Sequence, residues 1–360
     1  MRSLIDDQES NRRMRFYLKW LAIAYLTVTS STFSKEKDLT ILYTSNTQGE
    51  LRPCGCGKEQ LGGLARRATA VFRERIGNGP IILLDAGDTF FVSRDLPSHI
   101  FKEAKVDAGK IATVYRYLKY DAVLAGEIDS LLGDLDRGDL SWIGTPERPF
   151  SVIEKDGWKV AVFGYLSPKL ADREEIEKDL RLSLLVKDVR EVRPKVDLVI
   201  LLLHALERET SLILKKAKGV DLVISGHVGR LLQDAQVKQG VLIFEAENRG
   251  KYLGKITIHL SNEKMSPKNQ VHRLKIKEDL HFVTSELEPH RKKTGGLSWT
   301  DVYPGYPKLV QELKNLEWRE DKIKGDLLKW GSEPKSWYAH ELIKLGNGFE
   351  DDPNIQRILK

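Results

Sequence analysis

Two apolar runs, 39–43 and 81–84, each break off into polar residues: Thr44-Ser45-Asn46-Thr47-Gln48-Gly49 after the first and Asp85-Ala86-Gly87-Asp88 after the second. Residues 64–75 between them have helical spacing. A strand, helix, strand unit needs a crossover that returns the chain parallel to itself, so both polar ends fall on one edge of a sheet. The alternation continues with a helical 108–120, strand-like 122–125 and 159–165, helical 182–192, strand-like 197–204, helical 207–217 and strand-like 222–225. Runs at 241–245, 255–260 and 272–277 then follow without helices between them, which predicts antiparallel strands at the end of the sheet. The fold class expected is α/β, a layered α/β/α sandwich with a C-terminal helical appendage.

Three segments are expected. Residues 1–34 open with a basic stretch at 11–19, an apolar run at 20–28 and small residues at 29–34, the layout of a secretory signal. The apolar run is short for about 30 Å of hydrocarbon, and an uncleaved anchor starting at Phe16 is the other reading. Both readings imply export to the periplasm or another extracytoplasmic space, with membrane association only if the segment stays uncleaved. Residues 35–280 form the body. Residues 281–360 read as a turn-rich linker, a long helix over 306–330 and a docking tail carrying Trp337, Tyr338, Leu342 and Ile343, a route to a protein partner through 306–360.

With 360 residues, 41% hydrophobic, the chain can bury a large core. Its net charge of +6 comes from bases interspersed with acids rather than a basic stripe, which excludes a dedicated nucleic-acid surface but admits a phosphate-bearing ligand. No Cys-x-x-Cys-His occurs, so no c-type haem is held. The two cysteines stand as Cys54-Gly55-Cys56 just after Asn46 and Gln48. They read as a strained, reducible disulfide pair, as a pair without chemical role, or as soft metal ligands.

Ligands of open α/β sheets gather at the carboxyl ends of strands, where Asn46, Gln48, Asp85, Asp88, Glu127, Asp129, His204 and His227 fall. Each has a structural alternative. His204 ends a leucine run and reads equally as a core histidine, Asp88 as a cap, Glu127 as a solvated carboxylate, and Asp85 as a tie for backbone N–H groups. Gly62-Gly63 before a helix start permits an anion cradle or simply a turn; of Arg66 and Arg67, at least one is expected to face solvent.

The segments ILYTSNTQGEL, GGLARRAT, LLDAGDTF, YDAVLAGEID, LVILLLHALERE, DLVISGHVGR and FEAENRGKYLGKITI, in that order over roughly 39–260, resemble the metallophosphoesterase domain of the 5'-nucleotidase family, within the calcineurin-like superfamily. The resemblance implies hydrolysis of a phosphate-ester small molecule at a pair of metals, and it also shows where this chain departs. The family's first Asp-x-His ligand pair falls on Asn46 and Gln48, neutral amides that make poor hard-metal anchors. Its bridging aspartate is Asp88. Its Gly-Asn-His-Glu falls on Gly126-Glu127-Ile128-Asp129, so a carboxylate replaces one ligand and Ile128 replaces the histidine that protonates the phosphate. Its next ligand is His204, and its Gly-His-x-His is Gly226-His227-Val228-Gly229, which keeps one imidazole and loses the other.

Mapped onto the two metals, the first is left almost bare and the second retains Asp88, Glu127, His204 and His227, a set suited to one divalent Zn, Mn or Fe ion. The expected function is an exported, 5'-nucleotidase-like, metal-dependent phosphoesterase with an altered, single-metal and impaired site. The alternatives are a catalytically inactive binding module on the same fold, and a thiol-redox protein using Cys54 and Cys56. Family members carry a second domain that grips the nucleoside base, and this chain is too short to contain it, which leaves nucleotide specificity unsupported.

Overall fold

The computed structural model describes residues 37–360 apart from 56–58, 78, 134–139, 172–174, 262–267 and 333. The expectations for 1–34 and for Cys56 lie outside the described residues. In chain order the strands are β1 (Lys37–Thr44), β2 (Pro53–Cys54), β3 (Leu61–Gly62), β4 (Ile81–Asp85), β5 (Ala122–Leu124), β6 (Trp142–Ile143), β7 (Phe150–Lys155), β8 (Trp158–Leu166), β9 (Leu198–His204), β10 (Leu222–Gly226), β11 (Gln236–Lys238), β12 (Val241–Phe244), β13 (Tyr252–Leu260) and β14 (Trp337–Lys344). The helices are α1 (Leu64–Gly77), α2 (Ser98–Leu118), α3 (Glu175–Val192), α4 (Glu207–Lys216), α5 (Val271–Thr294), α6 (Trp299–Val302), α7 (Pro307–Lys329) and α8 (Pro353–Ile358).

Successive side chains of a strand point to opposite faces, and that alternation sorts the core. From β1, Leu39, Ile41 and Tyr43 enter one cluster and Leu42 another; from β9, Leu198, Ile200 and Leu202 join the first, while Val199, Leu201 and Leu203 face away. The shared cluster lies between two six-stranded sheets, ordered β14-β13-β1-β4-β5-β6 and β11-β12-β10-β9-β8-β7. Helices α1, α2 and α8 pack on the outer face of the first sheet, α3 and α4 on that of the second. The architecture is the expected layered α/β sandwich, with its β layer two sheets deep. Strands β1, β4, β5 and β6 run parallel, as do β8, β9, β10 and β12, so their carboxyl ends share an edge within each sheet.

Two expectations are corrected. Residues 272–277 are the start of α5, not a strand. Leu274 and Ile276 mimic a two-residue period, but Val283 and Leu287 further along continue a helical one and pack with Val310, Leu313 and Ile323 of α7. The boundary at 281 therefore falls inside a helix. The tail beyond 336 is no mere docking segment: Trp337 to Lys344 form β14, antiparallel to β13 over the register from His259↔Trp337 to Tyr252↔Lys344. Its apolar, β-prone side chains complete the first sheet, and Tyr338 is buried in the inter-sheet core.

Candidate metal centre

Each candidate ligand hangs from a parallel strand's carboxyl end. Asp88 follows β4, Glu127 follows β5, His204 closes β9 and His227 follows β10. Donor atoms of these four side chains lie within 4.8 Å of one another. The loops adopt demanding backbone conformations: Asn46, Gln48, Asp88 and His227 all have positive φ, at 50°, 54°, 54° and 74°. Such left-handed residues cost energy that surrounding packing must hold in place. Close approach also requires glycine. A Cβ on Gly126 would overlap the Asp88 carboxylate, and one on Gly226 would overlap the His204 ring and Ala86 O.

His204 is fully buried. Its Nδ1 lies 2.9 Å from Ala86 O, a carbonyl that can only accept, so Nδ1 carries the proton and Nε2 turns toward the cluster. Nε2 stands 2.6 Å from Glu127 Oε2 and 3.2 Å from Asp88 Oδ2. Among the described residues, neither His204 Nε2 nor Glu127 Oε2 has a directed hydrogen bond despite this proximity. The other Glu127 oxygen lies 2.8 Å from His227 Nδ1. Burial alone would lower the His204 pKa, but Asp88 and Glu127 outweigh it and raise it; burial alone would raise Glu127, and the two imidazoles bring it well below the usual carboxylate range. Crowded donor atoms, two imidazoles set against two carboxylates in a largely buried spot, are the chemistry of a divalent cation site. The residues fit such an ion.

The half of the site expected to have lost its metal is filled by protein. Asn46 Oδ1 accepts the His227 backbone N–H at 2.8 Å, so its acceptor oxygen is engaged, and its Nδ2 is buried without a partner among the described residues. A Cβ at Gly229 would run into the Asn248 side chain, which occupies the room a second imidazole would need. Gln48 is held through its backbone, its N–H donating to Asp88 O at 2.8 Å. Ile128 packs its side chain against the apolar cluster of α1 and α2, while its N–H faces Asp88 Oδ1 at 3.3 Å. Cys54 is half-buried on β2.

Three other polar residues brace the loops. Asp129 accepts from Thr89 N and Phe90 N at 2.9 Å and Gly126 N at 3.0 Å, tying the segments around Asp88 and Glu127 together. Burial, with Asp88 nearby, pushes its pKa up to about 7. Asp85 accepts from Thr44, Thr89, Tyr115 and Gly87 N. Arg67 is buried and donates to Tyr115 and Thr47, each at 3.0 Å, whereas Arg66 lies partly exposed and donates to Gln60 O. Sequence reasoning missed Asn248 and the bracing role of Asp129. Asn248 stands within the quoted segment 244–258, but nothing in the sequence places it beside Gly229.

The paired sheets, with helices on both outer faces, form the layered sandwich of the 5'-nucleotidase metallophosphoesterase fold. The solved NAD nucleotidase (NadN) of Haemophilus influenzae superposes on it with a TM-score of 0.51 at 16% identity, over 64% of this chain and 54% of that one. No family model matches the chain. Among curated proteins it is 27% identical over 293 residues to the snake venom 5'-nucleotidase of Gloydius brevicauda, covering 66% of this chain and 47% of the relative. It is 24% identical over 274 residues to the trifunctional nucleotide phosphoesterase protein YfkN of Bacillus subtilis, covering 61% of this chain and 18% of that protein. The chain thus resembles the metallophosphoesterase domain of 5'-nucleotidases and of YfkN in sequence and in fold, and spans less than half the length of these curated relatives.

Proposed function

We propose that this protein is an exported phosphoesterase that holds one divalent cation, Zn, Mn or Fe, on Asp88, Glu127, His204 and His227, and hydrolyses a phosphate ester slowly. The observation that carries the reading is the convergence of those four donors, with His204 Nε2 and Glu127 Oε2 buried and without directed partners among the described residues. A bound cation supplies the positive charge that polarises water and a phosphoryl oxygen. The chain's own part is to keep His204 in one tautomer through Ala86 O, to hold Glu127 between two imidazoles, and to fix Asp88 by the N–H of Ile128. With Ile128 where the family has an imidazole, that position gives no proton to the leaving oxygen, so turnover is impaired. Elemental analysis of purified protein, followed by assays on a panel of phosphomonoesters and diesters, tests this; metal-free and inert protein overturns it. Export rests on the N-terminal pattern. Among the described residues no helix is long and apolar enough to cross a membrane.

The filled half of the site favours a second reading, a catalytically silent module that engages a protein partner through 306–360, where Trp318 is exposed.

A further inference from the structure

A pocket of about 540 Å³ adjoins the cluster, within the size range of sites for small organic ligands. Its apolar wall comes from both sheets: Leu124 of β5, Leu140 and Trp142 around β6, and Leu166 of β8. Arg148 and Arg181 also line it. Arg148 is exposed, and among the described residues its guanidinium makes a long contact to Ser151 Oγ at 3.4 Å. Two carboxylates share the lining, Glu147, which is exposed, and Asp129, whose oxygens are taken up by three backbone N–H groups. The indole N–H of Trp142 is buried without a hydrogen-bond partner among the described residues. We propose that this pocket binds a small organic anion: a flat apolar body against Trp142 and the leucines, and a carboxylate or phosphate held by Arg148 and Arg181.

Occupancy would be felt at the metal loops, because Gly126 and Asp129 belong to the pocket wall and the site alike. Gly126 has Asp88 against it too closely for a Cβ, and Asp129 brackets Gly126 to Thr89 and Phe90. A ligand seated on that wall holds the bracket closed. The pocket does not depend on the phosphoesterase reading, so it is tested on the full chain without added metal.

Calorimetric titration with naphthoate, naphthyl phosphonate and uncharged naphthol should show at least one acid binding about tenfold or more tighter than naphthol. Arg148→Ala and Arg181→Ala should each weaken the acid by about tenfold and leave naphthol unchanged. Binding of the carboxylate alone, the phosphonate alone, or both identifies the acidic group. Hydrogen exchange on the wild-type chain should slow at 140–148 and at the amides of Thr89, Phe90 and Gly126. Absence of binding by either acid, equal binding of naphthol, affinity unmoved by both substitutions, or protection confined to residues outside this wall overturns the proposal. Metal analysis is read separately, so loss of one proposal leaves the other standing.

Discussion

At the residue scale, the site depends on a few atoms that have no spare room. Asp88→Asn or His204→Ala removes a charged or lone-pair donor, and metal affinity should fall by at least about tenfold in a competitive chelator titration. Gly126→Ala pushes a methyl into the Asp88 carboxylate, so denaturant unfolding should show a loss of roughly 1–3 kcal/mol together with weaker metal uptake. Position 229 gives a paired test. Gly229→His alone meets Asn248 at a φ of 77°, and should destabilise by about 1–3 kcal/mol without restoring a second metal. Adding Asn248→Ala should recover part of that loss, and a second equivalent of metal should still be absent because Asn46 and Gln48 remain neutral. Asp88, Glu127, His204 and His227 were legible as candidates because each ends or closely follows an apolar strand, which places Asp88 with Glu127 and His204 with His227 at the carboxyl edges of their respective sheets; only the packing of the two sheets brings the pairs together. Asn248 was not, since its relation to Gly229 arises where two loops from different strands pack.

At the element scale, β14 shows how a distant segment becomes part of the sheet. His340 on this strand is buried, 2.9 Å from Tyr43 OH and 3.1 Å from Gln233 O. Burial lowers its pKa to about 4, against 6.5 for an ordinary imidazole. The unfolded chain then binds a proton that the folded one does not, so stability falls as pH drops from about 6.5 to about 4. The full difference amounts to about 3 kcal/mol, from ~1.4 kcal/mol per pKa unit. Urea unfolding at pH 7 and pH 5 should show about 2 kcal/mol of this loss in the wild type and a flatter profile in His340→Phe, whose value at pH 7 is lower for want of the Tyr43 contact. The strand's apolar residues were readable as buried from sequence, but not their partner. An edge strand pairs with an edge left open, and β13 offered one.

At the scale of the whole molecule, α5, α6 and α7 pack around their own cluster of Val283, Leu287, Trp299, Val310, Leu313 and Ile323. The two ends of this hairpin meet, since Arg273 donates to Gly331 O at 3.1 Å. Replacing 275–329 by a short Gly/Ser linker should leave the body folded, as judged by a cooperative thermal transition and retained metal content. Cutting the chain after 335 should not, because it strips β14 and α8 from the first sheet and exposes the edge of β13. The partner-binding reading is tested on the first variant: association that survives excision of the hairpin counts against it.

The alternation of strands and helices through residue 260 and the strand ends at which polar residues fall were written in the chain, because period, turn residues and side-chain type act over a few neighbours. The doubling of the sheet, the capture of β14 by β13 and the approach of the Asn248 side chain to Gly229 were settled only when remote segments packed. Those outcomes depend on which surfaces are left uncovered once the local elements exist, and no local pattern encodes them.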